Sequence, residues 1–148
     1  MKPPLGDTLV ICDMDNTLLT AKEGIPACNR AVIRLYTGMG GLFTVATGRP
    51  PESIRAALGN LKLSLPAISC NGALLYDFST ESVLHRSTLN REQATTAIID
   101  ILAKFPRMGV EVMAGNGEMY VIHANEVTHA HQVDEHLGSI ACPVESVP

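Results

Sequence analysis

Apolar positions come in short bursts along the first half of the chain. Thr8 to Asp13 (TLVICD) is a brief apolar run closed by an acid, and it predicts a buried strand. Ile25-Pro26 then opens a stretch to about Thr37, where Ala27, Ala31, Ile33, Leu35 and Tyr36 supply the apolar positions of a helix. Gly38, Gly40 and Gly41 end it. Leu42 to Ala46 (LFTVA) predicts a second buried strand. Pro50-Pro51 start a second helix, because a missing N–H costs nothing in a first turn, and Gly59-Asn60 stop it after Leu58. Leu65 to Cys70 is a third strand, followed by Asn71-Gly72, a strong two-residue hairpin signal. Ala73–Tyr76 and Ser82–His85 then read as strands of a small hairpin. To about residue 70 the order is β-α-β-α-β with short loops. That order predicts an α/β fold: a parallel, doubly wound sheet with right-handed crossovers.

After about residue 86 the pattern changes. Asn90 is a plausible N-cap with Gln93 three residues on, and Gln93 to Phe105 predicts an amphipathic helix. Gly109–Ala114 and Glu118–His123 read as two strands joined by Gly115-Asn116-Gly117. Asn125 to Leu137 predicts a polar helix stopped by Gly138. This is an α+β unit with antiparallel strands. The boundary falls within residues 77–90, dividing the chain into segments 1–80 and 81–148.

Composition narrows the function. With 46% apolar and 18% charged residues, the chain can bury a core and is not disordered. The net charge of −4 argues against coating nucleic acid or anionic lipid. Aromatics make up 4% and Trp is absent, so base-stacking platforms are not expected either. No apolar run approaches the roughly 18 residues of a spanning helix. Lys2 is followed by Pro3-Pro4 and then only Leu9–Cys12, too short for a signal-peptide core. Cys12, Cys28, Cys70 and Cys142 form no C-x-x-C pair, which predicts reduced, mostly buried thiols in a cytoplasmic protein.

The chemistry gathers at predicted strand ends. Asp13-Met14-Asp15-Asn16-Thr17 lies at the C-terminal end of strand one, the edge where open α/β sheets bind ligands. Two carboxylates so close repel unless a cation or proton relieves them. A hard ion such as Mg²⁺ does so through oxygen ligands. Thr17 can tie the loop with its hydroxyl. Thr47-Gly48-Arg49 ends strand two, just before a helix N-terminus, and combines a hydroxyl with an approachable backbone N–H. Carboxylates with a metal, facing an anion cradle, form a phosphoryl-transfer arrangement.

DMDNTLL (13–19), TGR (47–49) and NGA (71–73), in this order and at strand ends, resemble the motifs of the haloacid dehalogenase-like (HAD) phosphohydrolase superfamily, in its Cof-type branch. The resemblance implies a Rossmannoid parallel sheet, here the N-terminal half of a core, with part of an α+β cap inserted after the third core strand. It implies Mg²⁺-dependent hydrolysis of a small phosphorylated metabolite, sugar-phosphate-like, through an aspartyl-phosphate. Asp13 would be the nucleophile and a metal ligand. Asp15 would be the general acid/base, and its backbone carbonyl a second metal ligand. Thr47 and the Gly48 amide would hold phosphoryl oxygens. Arg49 would be a substrate-side or structural charge, and Asn71 would shape the crevice edge or serve the turn.

Two departures from the pattern matter. Asn16 replaces the usual glycine, and Asn tolerates a left-handed backbone. The family's later Lys and acidic metal-binding pair have no counterpart: Asp100, Lys104 and Asp134-Glu135 all fall in predicted helices. A catalytically incomplete HAD fragment, acting as a binding or oligomerising module, is therefore the alternative. A phosphoryl-transferring mutase shares the opening motif, and a receiver-like phosphoacceptor fits less well. Three core strands without their usual neighbours would leave an exposed sheet edge, which a homo-oligomer could cover. His129, His131 and His136 crowd the last helix, as a solvated face or a transition-metal site. Met108, Met113 and Met119 read as core filler under the cap sheet.

Overall fold

The computed structural model describes residues 5–20 and 24–148. The opening Lys2-Pro3-Pro4 lies outside the described residues. The chain divides into two compact units, Met1–His85 and Arg86–Pro148.

In the first unit, β1 (Leu9–Cys12) runs parallel to β2 (Leu42–Val45), in register from Leu9 beside Leu42 to Cys12 beside Val45. β2 reaches β3 (Ala67–Ser69) through a parallel bridge between Ala46 and Ile68, where the Thr47 N–H donates to the Ile68 carbonyl at 3.0 Å. The chain then reverses. β4 (Leu74–Asp77) is antiparallel to β3, and β5 (Ser82–Arg86) lies beyond β4. The reversal is wider than the two-residue turn expected. Cys70, Asn71 and Gly72 form a 3₁₀ turn with φ of 52°, 55° and 89° in succession.

Helices α1 (Ala27–Gly38) and α2 (Pro51–Leu58) make the crossovers. Apolar residues of loops, helices and strands meet in one core: Met14, Leu18, Ile33, Phe43, Val45, Ile54 and Ala67 among them. Met14 points inward from the middle of the DMDNT loop and is fully buried. It anchors the loop while its neighbours face out. Arg30 of α1 ties the two helices: its guanidinium donates to the carbonyls of Leu58 (2.6 Å) and Ala57 (3.2 Å), which α2 leaves without intrahelical donors.

One expectation fails here. β1 is not a buried strand: Leu9, Val10 and Ile11 are 47%, 40% and 50% exposed. A parallel strand is buried only when both edges and both faces are covered. Among the described residues β1 pairs with β2 alone. Leu35, expected on the apolar side of α1, is likewise exposed, and Ile33 is the buried residue of that helix.

In the second unit, α3 (Arg91–Lys104) begins at Asn90, whose side chain accepts the Gln93 N–H at 3.1 Å. No residue of α3 is fully buried; Ala94, Ile98 and Leu102 are half-buried, and the helix packs against the 3₁₀ turn Val144–Ser146, where Arg91 donates to the Glu145 carbonyl at 2.7 Å. β6 (Val110–Met113) and β7 (Met119–His123) are antiparallel, with a bulge at Val110/Glu111. α4 (Glu126–Asp134) is three residues shorter than expected at its C-terminus. It leads into β8 (Ser139–Ala141), which was not anticipated and pairs parallel to β7. The unit is therefore not purely antiparallel, because α4 acts as a crossover helix. Met119 is buried and Met113 half-buried, whereas Met108 is exposed and fills no core.

The four cysteines are free, but Cys28 is exposed and the other three are only half-buried. The expectation of mostly buried thiols thus gives way to partial exposure.

Candidate active site

The parallel register brings the first two motifs to one sheet edge. Cys12 lies beside Val45, and the Ala46 N–H donates to the Cys12 carbonyl at 3.0 Å. Asp13 therefore leaves β1 as Thr47 leaves β2. The DMDNT loop closes tightly behind it: the N–H groups of Thr17, Leu18 and Leu19 all donate to the Met14 carbonyl. Asn16 takes φ +58° to make that turn. The Thr17 hydroxyl donates to Oδ2 of Asp13 at 3.0 Å. Among the described residues, Oδ1 of Asp13 accepts no hydrogen bond, and both Asp13 and Asp15 are exposed.

Asp15 is held by Arg49. Nε donates to Oδ1 (3.2 Å) and Oδ2 (3.0 Å), and Nη2 donates to Oδ1 at 2.8 Å. Such a two-pronged contact fixes orientation as well as proximity. Arg49 is itself fixed on every side. Its N–H donates to the Thr47 Oγ1 at 3.2 Å. Its carbonyl accepts from the Ser69 hydroxyl (2.7 Å) and the Cys70 N–H (3.2 Å). Its Nη1 donates to the Ser53 Oγ at 2.6 Å. One residue thus links the loops that follow β1, β2 and β3.

Thr47 is buried, whereas Gly48 is exposed and its N–H finds no acceptor among the described residues. The Asn71 N–H donates to the Thr47 carbonyl at 3.1 Å. The Asn71 carboxamide also lies against Gly48: a Cβ there would stand 3.1 Å from its Oδ1 and 3.3 Å from its Nδ2. Gly48 lets the two loops approach this closely. The structure therefore brings Asp15, Thr47, Gly48, Arg49 and Asn71 into one connected cluster, with Asp13 at its edge. Sequence reasoning missed Ser53 and Ser69. Ser53 had a signal, four residues after Arg49 in the first turn of a helix. Ser69 had none.

A Mg²⁺ ion prefers about six oxygen ligands and keeps several waters. The motif offers the Asp13 carboxylate and the Asp15 backbone carbonyl. Among the described residues, no three His, Cys, Asp or Glu side chains converge as a metal site. These donors fit an ion that retains most of its water, not a closed cage.

The histidine cluster makes no metal site either. His131 Nδ1 lies 2.6 Å from Glu111 Oε2, and Nε2 lies 3.5 Å from Glu135 Oε1, so the carboxylates hold opposite sides of the ring. His129 and His136 are exposed. A groove of about 530 Å³ in this second unit, walled by Phe105, Met108 and Val127, contains none of the motif residues.

The parallel strands β1 and β2 thus bring two carboxylates, a hydroxyl and an exposed backbone N–H to one sheet edge of an α/β unit. Comparison with known proteins makes the class specific. The chain belongs to the haloacid dehalogenase-like hydrolase family, whose model matches residues 10–141. It superposes on a HAD/COF-like hydrolase from Plasmodium vivax with a TM-score of 0.76 at 21% identity, covering 95% of this chain and 51% of that one. It superposes equally well, TM-score 0.76 at 22% identity, on the HAD subclass IIB sugar phosphatase BT4131, covering 95% of this chain and 54% of that one.

Curated relatives are phosphatases. The 5-amino-6-(5-phospho-D-ribitylamino)uracil phosphatase YwtE of Bacillus subtilis is 36% identical over 93 residues, 63% of this chain and 31% of that protein. The pyridoxal phosphate phosphatase YbhA of Escherichia coli is 36% identical over 77 residues, 51% of this chain and 28% of that protein. The matched region thus spans about a third of these relatives' length. No helix of the described residues is long and apolar enough to cross a membrane.

Proposed function

We propose that this chain carries the nucleophile half of a cytoplasmic, Mg²⁺-dependent phosphatase acting on small phosphorylated metabolites, sugar-phosphate-like in class. The observation that carries the reading is the meeting of the three motif loops on Arg49, with Asp13 and Gly48 exposed at the same sheet edge.

The chemistry runs in two displacements. The Gly48 N–H and the Thr47 hydroxyl hold phosphoryl oxygens. An oxygen of the Asp13 carboxylate attacks phosphorus, and the bond to the leaving alcohol breaks. Asp15 donates its proton to that alcohol oxygen. Then Asp15 takes a proton from water, whose oxygen attacks the same phosphorus. The bond to Asp13 breaks, inorganic phosphate leaves, and the Asp13 carboxylate is restored. Both Asp15 oxygens accept from Arg49, so one must leave that fork whenever Asp15 carries the proton. Mg²⁺, held by the Asp13 carboxylate and the Asp15 carbonyl, would offset phosphoryl charge.

The lack of a third converging carboxylate among the described residues favours a second reading. There the chain binds phosphate at Thr47-Gly48 but does not turn it over. A generic aryl phosphate, with and without Mg²⁺, separates the two. The phosphatase reading expects Mg²⁺-dependent turnover that falls about 10³-fold or more in Asp13→Asn. Turnover that survives in Asp13→Asn would remove Asp13 from the chemistry. Silence in both proteins, with phosphate still binding, would leave the second reading standing.

A further inference from the structure

Ser53 has no place in the motifs, yet with Ser69 it is one of two completely buried polar side chains among the described residues. It sits in the first turn of α2, beside Pro51, and its Oγ lies 2.6 Å from Nη1 of Arg49. Arg49 is the more sheltered member of the ion pair: its side chain is 13% exposed, against 48% for Asp15. Its backbone is clamped between Thr47 on one side and Ser69 and Cys70 on the other. At the far end of the guanidinium, the Ser53 hydroxyl accepts from Nη1 and holds that end in place. The guanidinium is thus held on the protein side, while the Asp15 carboxylate faces solvent.

We propose that Ser53 is a positioning residue for Asp15, acting through Arg49. Ser53 aims the Nε and Nη2 edge of Arg49 at Asp15 and thereby fixes where the Asp15 carboxylate waits. A phosphate cannot take that same edge of Arg49 without displacing Asp15. Phosphoryl oxygens therefore meet Thr47 and Gly48, and Arg49 serves the carboxylate. The inference rests on the reading of Asp15 as the proton-transferring group.

The test compares Ser53→Ala and Ser53→Cys. Cysteine nearly preserves the buried volume but is a weak acceptor, so it separates hydrogen bonding from packing. The first readout is solvent exchange of the Arg49 Nε–H, followed by ¹⁵N-edited NMR on the intact chain. It needs no turnover. Both variants are expected to speed this exchange about tenfold, the factor for losing one hydrogen bond to a charged group. Asp15→Asn should speed it too, and combining it with Ser53→Cys should add little further. The second readout is aryl-phosphate turnover, where kcat falls about tenfold with KM unchanged.

Unchanged exchange in both variants overturns the proposal. So does fast exchange in Ser53→Ala with wild-type exchange in Ser53→Cys, since packing alone then explains Ser53. If the wild-type chain shows no turnover, the phosphatase reading fails on its own account. The exchange arm still decides whether Ser53 holds Arg49 on Asp15.

Discussion

Asn16 shows how a single backbone angle shapes the site. Its φ of +58° lets the DMDNT loop fold three N–H groups onto the Met14 carbonyl, with Met14 buried beneath and both aspartates exposed above. A β-carbon in the left-handed region costs about 1–2 kcal/mol, and Asn recovers part of that through its short polar side chain. Asn16→Ala should therefore be less stable than Asn16→Gly by about 1 kcal/mol, after allowing for the extra entropy of glycine in the unfolded chain. Urea unfolding midpoints of the two variants measure it. Equal midpoints would mean that the loop does not need this angle. The replacement of Gly by Asn was legible from sequence, and so was its backbone consequence, because the reason is local. The role of Arg49 was not. Arg49 and Asp15 are 34 residues apart, and their contact depends on the parallel register of β1 and β2. From sequence Arg49 could only be left between a substrate-side and a structural charge. The structure pairs it with Asp15.

At the scale of elements, sequence patterns located helices well and misjudged environments. α1, α2 and the Asn90 cap follow from proline, glycine and capping residues that act on their own neighbourhood. β8 escaped notice because Ser139–Ala141 is three residues long and carries no periodicity. His131 of α4 was visible, but its partner was not, since Glu111 lies on β6 and its placement follows the bulge at Val110/Glu111.

That pairing has a consequence for pH. Burial pushes the His131 pKa down, but the hydrogen bond and charge of Glu111, with Glu135 on the other side of the ring, outweigh it and raise the pKa above the ordinary value. Gln132 donates to the other Glu111 oxygen at 3.1 Å and holds that carboxylate in place. A raised histidine pKa stabilises the fold fully below the unfolded value of about 6.5, and the stabilisation is lost as pH rises through the folded value. The second unit should therefore lose stability on the alkaline side of neutrality's lower edge, in a window beginning near pH 6.5. Glu111→Gln should flatten that dependence while Asp134→Asn leaves it in place. Chemical denaturation across this pH range, read on the Tyr120 environment in β7, is the check. A wild-type profile already flat in this window would mean that His131 stays uncoupled from folding.

At the scale of the whole molecule, the first unit has its chemistry and its unfinished surface on the same strand. β1 carries Asp13 at its end and exposes Leu9, Val10 and Ile11 along its length, with a partner on one edge alone among the described residues. An apolar strand edge with free N–H and C=O groups is a template for another strand. The apolar run predicted burial, and that expectation fails because burial of a parallel strand needs a neighbour on each edge, which the strand's own sequence cannot supply. We propose that a second copy of this chain covers the edge, adding backbone hydrogen bonds and burying Leu9 of each copy. Removing a Leu side chain from water contributes about 1.5–3 kcal/mol, so Leu9→Lys should weaken self-association by more than about tenfold. Leu9 is far enough along β1 from Asp13 that the substitution leaves the DMDNT loop unaltered. Sedimentation velocity over a concentration series is the measurement, with circular dichroism to show that Leu9→Lys still folds. The wild-type chain should sediment as a dimer or larger in a concentration-dependent way, with little sensitivity to salt because the contact is apolar. Leu9→Lys should sediment as a monomer over the same range. A wild-type chain that stays monomeric throughout, or a Leu9→Lys chain that associates as strongly, would place the partner of β1 elsewhere than in a second copy.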